Sequence, residues 1–211
     1  MNLDEHWASL ARRLNLQHNV EHSLYVSLQI RYSEPHRAYH NLKHIKSMLD
    51  NFDSVRQTAE APDALEWAIW CHDVVYDPQR KDNEELSAIE SNRLTRASGL
   101  SQDFADLAAS LIMATAAHEP KTRDEALIVD LDLAILGAPE PDFDAYEGQI
   151  RSEYSWVPEQ DYRVGRSKVL QTFLDRDQIY TTQPFHHLEQ AARSNLKRSL
   201  AALEVEAVDL G

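Results

Sequence analysis

Apolar positions recur at intervals of three and four along most of this chain, the period of an amphipathic helix. Over residues 7–32 the set Trp7, Leu10, Leu14, Leu24, Val26 and Leu28 predicts one long or two shorter helices, ended by Glu34-Pro35. Leu42, Ile45, Met48 and Leu49 predict a helix from about 39 to 52 that carries His40 and His44 one turn apart. Beyond Ala61-Pro62-Asp63, the residues Leu65, Ala68, Ile69, Cys71 and Val75 describe a helix apolar nearly all round. Such a helix is a central element covered by its neighbours, and His72-Asp73 falls near its end.

Asp82 followed three residues later by Glu85 has the form of a capping box, opening a helix to about 98 with Gly99 as its stop. Further helices are expected over 101–118, over 124–136 closed by Gly137, from the Pro139-Glu140-Pro141 break to about 154, over 159–176 and over 185–204. Five glycines, with eight prolines gathered at element boundaries, leave little turn chemistry for hairpins. The fold class read from this pattern is all-α. One domain over 1–211 is expected, a compact multi-helix bundle with helical N- and C-terminal extensions around a core of about 20–180.

Composition narrows the partners. Hydrophobic residues at 43% and charged residues at 27% exclude wholesale disorder. Thirty-five acidic against 21 basic residues, a formal charge of -14, argue against nucleic acid as a main partner. A small phosphorylated molecule stays compatible, because a divalent metal inverts the local field. A single cysteine, Cys71, excludes an internal disulfide framework. The opening Met1-Asn2-Leu3-Asp4-Glu5 lacks the basic and apolar segments of a secretory signal, and apolar runs are interrupted by Asp or His. A cytoplasmic protein with no membrane partner is therefore expected, of undetermined oligomeric state.

Two carboxylate positions stand out against their surroundings. His72-Asp73 is flanked by Trp67, Ile69, Trp70, Val74 and Val75, and burying a carboxylate there is costly unless a cation or hydrogen bonds compensate. The run Ile128-Val129-Asp130-Leu131-Asp132-Leu133 sets two carboxylates in an apolar helix, pointing to different faces, so one of the two is expected at a site. With the His40/His44 pair, these residues form a candidate metal-ligand set.

A histidine, a later His-Asp dipeptide and a distant aspartate on successive helices resemble the metal-binding signature of the HD-domain superfamily. Tyr39-His40-Asn41-Leu42-Lys43-His44 is also similar to a stretch of the cyclic-nucleotide phosphodiesterases within that superfamily, where the first histidine is a general acid and the second a metal ligand. The resemblance implies those roles for His40 and His44, with His72, Asp73 and one later aspartate completing the ligands. Both Asp130-Leu131 and Asp132-Leu133 resemble the family's setting; Asp132 is preferred, with Asp130 as the alternative. The wider run 32–48, Trp70 through Pro78, Asp82-Asn83-Glu84-Glu85 and the stretch 130–137 resemble a bacterial subfamily labelled predicted metal-dependent HD phosphohydrolases. Nothing resembles the phosphodiesterases' purine-clamping glutamine region. His118 lies where two-metal members supply further histidines, which implies a second-metal or substrate role; a helix C-terminal histidine favoured by the dipole is the alternative.

The resemblance implies a metal-dependent phosphohydrolase, cleaving a phosphate ester or phosphoanhydride of a small substrate, a nucleotide among the candidates. One or two divalent ions of Mn, Fe, Zn, Co or Mg would activate water, with His40 and Asp73 at the catalytic centre. Arg37, Lys43, Arg151, Arg163 and Arg166 are candidates to hold phosphate, no more than about two of them in fact doing so. Tyr154 and Tyr162 read as core. The alternatives are a di-iron HD-type oxygenase and a non-catalytic metal- or nucleotide-binding regulatory domain.

Overall fold

The computed structural model describes residues 1–208, with side chains through residue 204. The last three residues of the expected domain lie outside the described residues. Ten α-helices and three short 3-10 helices make up the described chain, with no strand among them, so the all-α expectation holds. No helix of the described residues is long and apolar enough to cross a membrane. The described chain divides into two compact units, the first over 1–132 and the second from Leu133 onward.

In the first unit, α1 (Leu3–Arg13) opens on a true capping box: Asn2 accepts from the Glu5 amide and Glu5 accepts from the Asn2 amide, both at 2.8 Å. Asn15, at φ 53°, takes the left-handed turn that leads from α1 to α2 (His18–Arg31), so the 7–32 pattern resolves as two helices. The helix carrying His44, α3 (Leu42–Val55), starts later than the periodicity suggests. Asn41 caps it, its side-chain oxygen accepting from the Lys43 amide at 2.8 Å. His40 therefore sits in the turn before the helix.

Proline at the first helical position opens α4 (Pro62–Cys71), whose residues Ala64 through Cys71 are all buried, as the all-round apolar pattern requires. Trp67 and Trp70 pack against Trp7, with centroids 6.2 and 5.5 Å away. Glu66 alone brings charge into this face, and Arg13 and Arg56 meet it there. Around α4 stand α1, α3, α5 (Asn83–Ala97), α6 (Gln102–Ala117) and α7 (Arg123–Asp132).

The boundary signals divide instructively. Gly99 ends α5 at φ +72°, and Ser101 caps α6 by accepting from the Phe104 amide. Asp82 fails as a side-chain cap: Arg80 binds both its carboxylate oxygens, at 2.8 and 2.6 Å, and a nearby guanidinium outcompetes a backbone amide for a carboxylate. The helix expected over 124–136 stops at Asp132 and continues as a 3-10 turn, Leu133–Gly137.

The second unit consists of that turn, α8 (Glu140–Glu153), α9 (Glu159–Leu174), a 3-10 turn at Gln183–Leu188, and α10 (Glu189–Val208). Gly137 is required here by packing rather than by backbone angle, because a Cβ would lie 2.6 Å from Leu188 Cβ. Asn195 on α10 donates to the carbonyls of Leu136 and Ala138, both at 2.9 Å. Tyr180 donates to Leu133 O at 2.9 Å. Buried carbonyls left by the short turn are satisfied in this way.

Candidate metal centre

Four helix ends of the first unit carry its donor atoms. His44 stands on the first turn of α3, His72 is the C-cap of α4, His118 the C-cap of α6, and Asp132 the last residue of α7. Helix C-termini present partial negative charge, so α4 and α6 add to the carboxylates in favouring a cation. The α4 helix ends before the His-Asp pair is complete, and Asp73 lies in the turn that follows. That turn is pinned from α5: Ser87 Oγ accepts from the Val75 amide and donates to its carbonyl, each at 3.1 Å. Asn83 exchanges two hydrogen bonds with the Asp77 backbone.

The Nε2 atoms of His44 and His72 lie 3.2 Å apart, and Asp132 Oδ1 is 3.1 Å from the first and 3.7 Å from the second. Ligands of one ion at ~2.1 Å bond length stand roughly 3.0–3.4 Å apart in tetrahedral or octahedral geometry, which these separations approach. Among the described residues these three form a group whose donor atoms all lie within 4.8 Å of one another. His72 Nδ1 faces the Ile69 carbonyl at 3.0 Å. A proton held there leaves the Nε2 lone pair for a cation, the usual outer hydrogen bond of a ligating imidazole. The donor set therefore fits a divalent metal ion.

Asp73 stands at the edge of this group, its Oδ2 3.1 Å from His72 Nε2. His118 approaches the other oxygen of Asp132, Nε2 to Oδ2, at 3.6 Å. Its left-handed backbone, φ 52°, turns the chain at the end of α6, so the histidine is both a helix terminus and a neighbour of the cluster. Asp130 is fully buried two residues before Asp132, on a different side of α7.

Electrostatics follow from this crowding. Burial alone would raise the Asp132 carboxyl, but the imidazoles of His118 and His44 beside it hold it well below the usual carboxylate range. Burial pushes the His44 imidazole down, against the pull of Asp132. For His72 burial is outweighed by the Asp73 charge, and its imidazole is lifted to about 9. Asp73 is lowered in turn, the desolvation cost being exceeded by its attraction to His72.

His40 is brought close by a different route from the helical spacing expected. Its ring stacks on Tyr76 at 4.2 Å, meets Tyr39 edge-on at 5.1 Å and lies 6.0 Å from the His44 ring. Tyr39 also covers His44, with centroids 4.8 Å apart. No local pattern marks Tyr39 or Tyr76 as a stacking partner: Tyr39 precedes His40 directly, and Tyr76 follows His72 by four positions.

The five candidate phosphate holders fare differently. Arg37 is buried, its Nε donating to Glu34, Nη1 to the carbonyls of His40 and Asp73, and Nη2 to the Val74 carbonyl. It is a backbone clamp rather than a phosphate holder, because four of its five N–H groups already bond protein. Lys43 is exposed at the start of α3. The other three belong to the second unit, where Arg151 and Arg163 bond Glu159 at 3.0 Å and Arg166 pairs with Glu147. Tyr162 is buried beneath Arg151, whose guanidinium lies 4.6 Å from its ring. Comparison with models of known protein families, with curated proteins and with solved structures finds no match to this chain.

Proposed function

We propose that the chain is a metal-dependent phosphohydrolase of the HD-domain kind, acting on a small phosphorylated substrate. The observation that carries this reading is the convergence of His44 Nε2, His72 Nε2 and Asp132 Oδ1 within 3.1–3.7 Å of one another. Mixed imidazole and carboxylate donors suit a hydrolytic divalent ion of the Mn, Fe, Zn, Co or Mg group. When bound, such an ion supplies acidity to water and charge neutralisation to a phosphoryl oxygen.

The remaining work falls to this chain's own groups. The Ile69 carbonyl keeps His72 oriented through Nδ1, and Asp73, whose Oδ2 lies 3.1 Å from the His72 Nε2, adds a second carboxylate beside the cluster. His40, held flat on Tyr76, is assigned the transfer of a proton to the leaving oxygen. His118 stabilises the Asp132 carboxylate from its outer side.

Manganese-loaded protein screened against nucleotides, diphosphates and simple phosphate esters tests the reading, with Asp73→Ala as control. Phosphate release by the wild type and its loss in the control are expected. Equal release by both proteins would mean a contaminating phosphatase and would remove the proposal. His40→Ala is expected to lower turnover by about 10²- to 10⁴-fold while ion binding persists. A loss no larger than that of the surface change His187→Ala would end the acid assignment.

A further inference from the structure

One nitrogen atom joins the two turns of the site. Arg37 Nη1 donates to the His40 carbonyl at 3.1 Å and to the Asp73 carbonyl at 2.7 Å. The turn that bears the assigned acid and the turn that follows the ligand His72 are thus tied through a single amino group. The guanidinium has little freedom to shift. Its Nε is held by Glu34 at 3.0 Å and its Nη2 by the Val74 carbonyl at 3.3 Å. Its carbon lies 5.1 Å from the Tyr32 ring centroid and 5.4 Å from that of Tyr76. Tyr32 is itself anchored, its hydroxyl donating to the Trp70 carbonyl on α4 at 3.1 Å.

We propose that Arg37 is a positioning residue that sets where His40 stands relative to the Asp73 turn, and so fixes the acid's distance from the reacting phosphate. This rests on the phosphohydrolase reading for its catalytic consequence, though not for its geometry. A side chain that only stabilised the fold could satisfy these carbonyls in several ways. Here the planar fork reaches three of them and a carboxylate in one orientation, while Tyr76 touches both the guanidinium and the His40 ring. Lysine keeps the charge but offers a point in place of the fork. In Arg37→Lys the two carbonyls can no longer be bridged with Glu34 and Val74 held as well, and His40 loses its fixed stacking on Tyr76.

Two readouts test this on the full chain. First, the His40 ring protons lie against the Tyr76 face, so their NMR resonances, recorded without paramagnetic ions, carry a ring-current shift. In Arg37→Lys they are expected to move toward the position of the exposed His18, while His187 stays unmoved. Second, with the phosphate ester found by the screen, Arg37→Lys is expected to lower kcat by about ten- to a hundredfold, with KM changed by no more than about twofold. In a His40→Ala background the same change should lower kcat by less than about twofold, because the residue through which it acts is gone. A full effect persisting in that background, or His40 resonances unchanged by the lysine, would overturn the assignment. Where Arg37→Lys does not fold, Glu34→Ala removes the carboxylate that orients the guanidinium and is read by the same two outcomes. Should the wild type release phosphate from no ester, the phosphohydrolase reading falls, whereas the resonances still decide what Arg37 positions.

Discussion

Replacing Asp132 by asparagine keeps the side chain's shape while removing the charge and the anionic oxygen that stands 3.1 Å from His44 Nε2 and 3.7 Å from His72 Nε2. Losing an outer-shell partner costs about 10- to 100-fold in metal affinity, so losing one of three converging donors should cost at least about a hundredfold. At an ion concentration of about 100 times the wild-type Kd, binding stabilises the wild type by about 2.7 kcal/mol, whereas a variant bound a hundredfold more weakly gains only about 0.4 kcal/mol. For a chain of this length about 1 kcal/mol moves Tm by roughly 2–4 °C, so manganese should raise the wild-type Tm by about 5–11 °C and that of Asp132→Asn by about 1–2 °C. Differential scanning fluorimetry with and without manganese, after chelation, reads this directly. The increment is the diagnostic quantity, since the variant's own Tm also reflects lost contacts with His44 and His118. Asp130→Asn is the internal control: it disturbs a fully buried carboxylate on the same helix and should lower Tm while leaving the increment intact. An increment preserved in Asp132→Asn, or abolished in Asp130→Asn, would refute the ligand assignment.

Other consequences follow from the same geometry. In chelated protein the His72 imidazole, lifted to about 9 by Asp73 in spite of burial, must surrender a proton to become a ligand. Metal affinity should therefore rise with pH up to about 9 and level off above it; titration calorimetry in buffers of different ionisation enthalpy would detect the released proton, and a pH-independent affinity would contradict the ligand role. The sign reverses for chelated protein alone. A histidine raised above its unfolded value contributes stability that is complete below about 6.5 and lost as pH rises through about 9, so chelated protein should weaken over that window. In the second unit Gly137→Ala forces a Cβ to 2.6 Å from Leu188 Cβ and 2.9 Å from its carbonyl oxygen. A loss of about 1–3 kcal/mol in urea denaturation is expected, with no change in the metal increment; an unaltered midpoint would show that the turn can relax.

Much of the helical framework was legible from local chemistry. Gly99 and Ser101 act where the sequence suggests, because a left-handed residue and a hydroxyl cap depend on neighbours one to three positions away. The all-round apolar stretch before His72 could be recognised as a central helix, since a segment without a polar face has to be covered on every side. Local rules failed where a distant or competing partner intervened. Arg80 took the Asp82 carboxylate from the helix it was expected to cap, and Asn41 rather than Tyr39 opened α3, leaving His40 outside the helix that was to hold it. The Arg37 clamp had no local signature at all, because its partners at Asp73 and Val74 lie 36 and 37 positions along the chain.

The sequence by itself determined which residue types could gather a cation: imidazoles and carboxylates set in apolar runs, where an uncompensated charge is too costly to keep. It left Asp130 and Asp132 as alternatives and offered Arg37 to a substrate. The tertiary structure brings Asp132 to His44 and His72, in a group that could hold a metal ion, and turns Arg37 inward onto backbone carbonyls. The physical reason is that ligand convergence depends on distances between helix ends, which packing sets and periodicity along one helix does not encode.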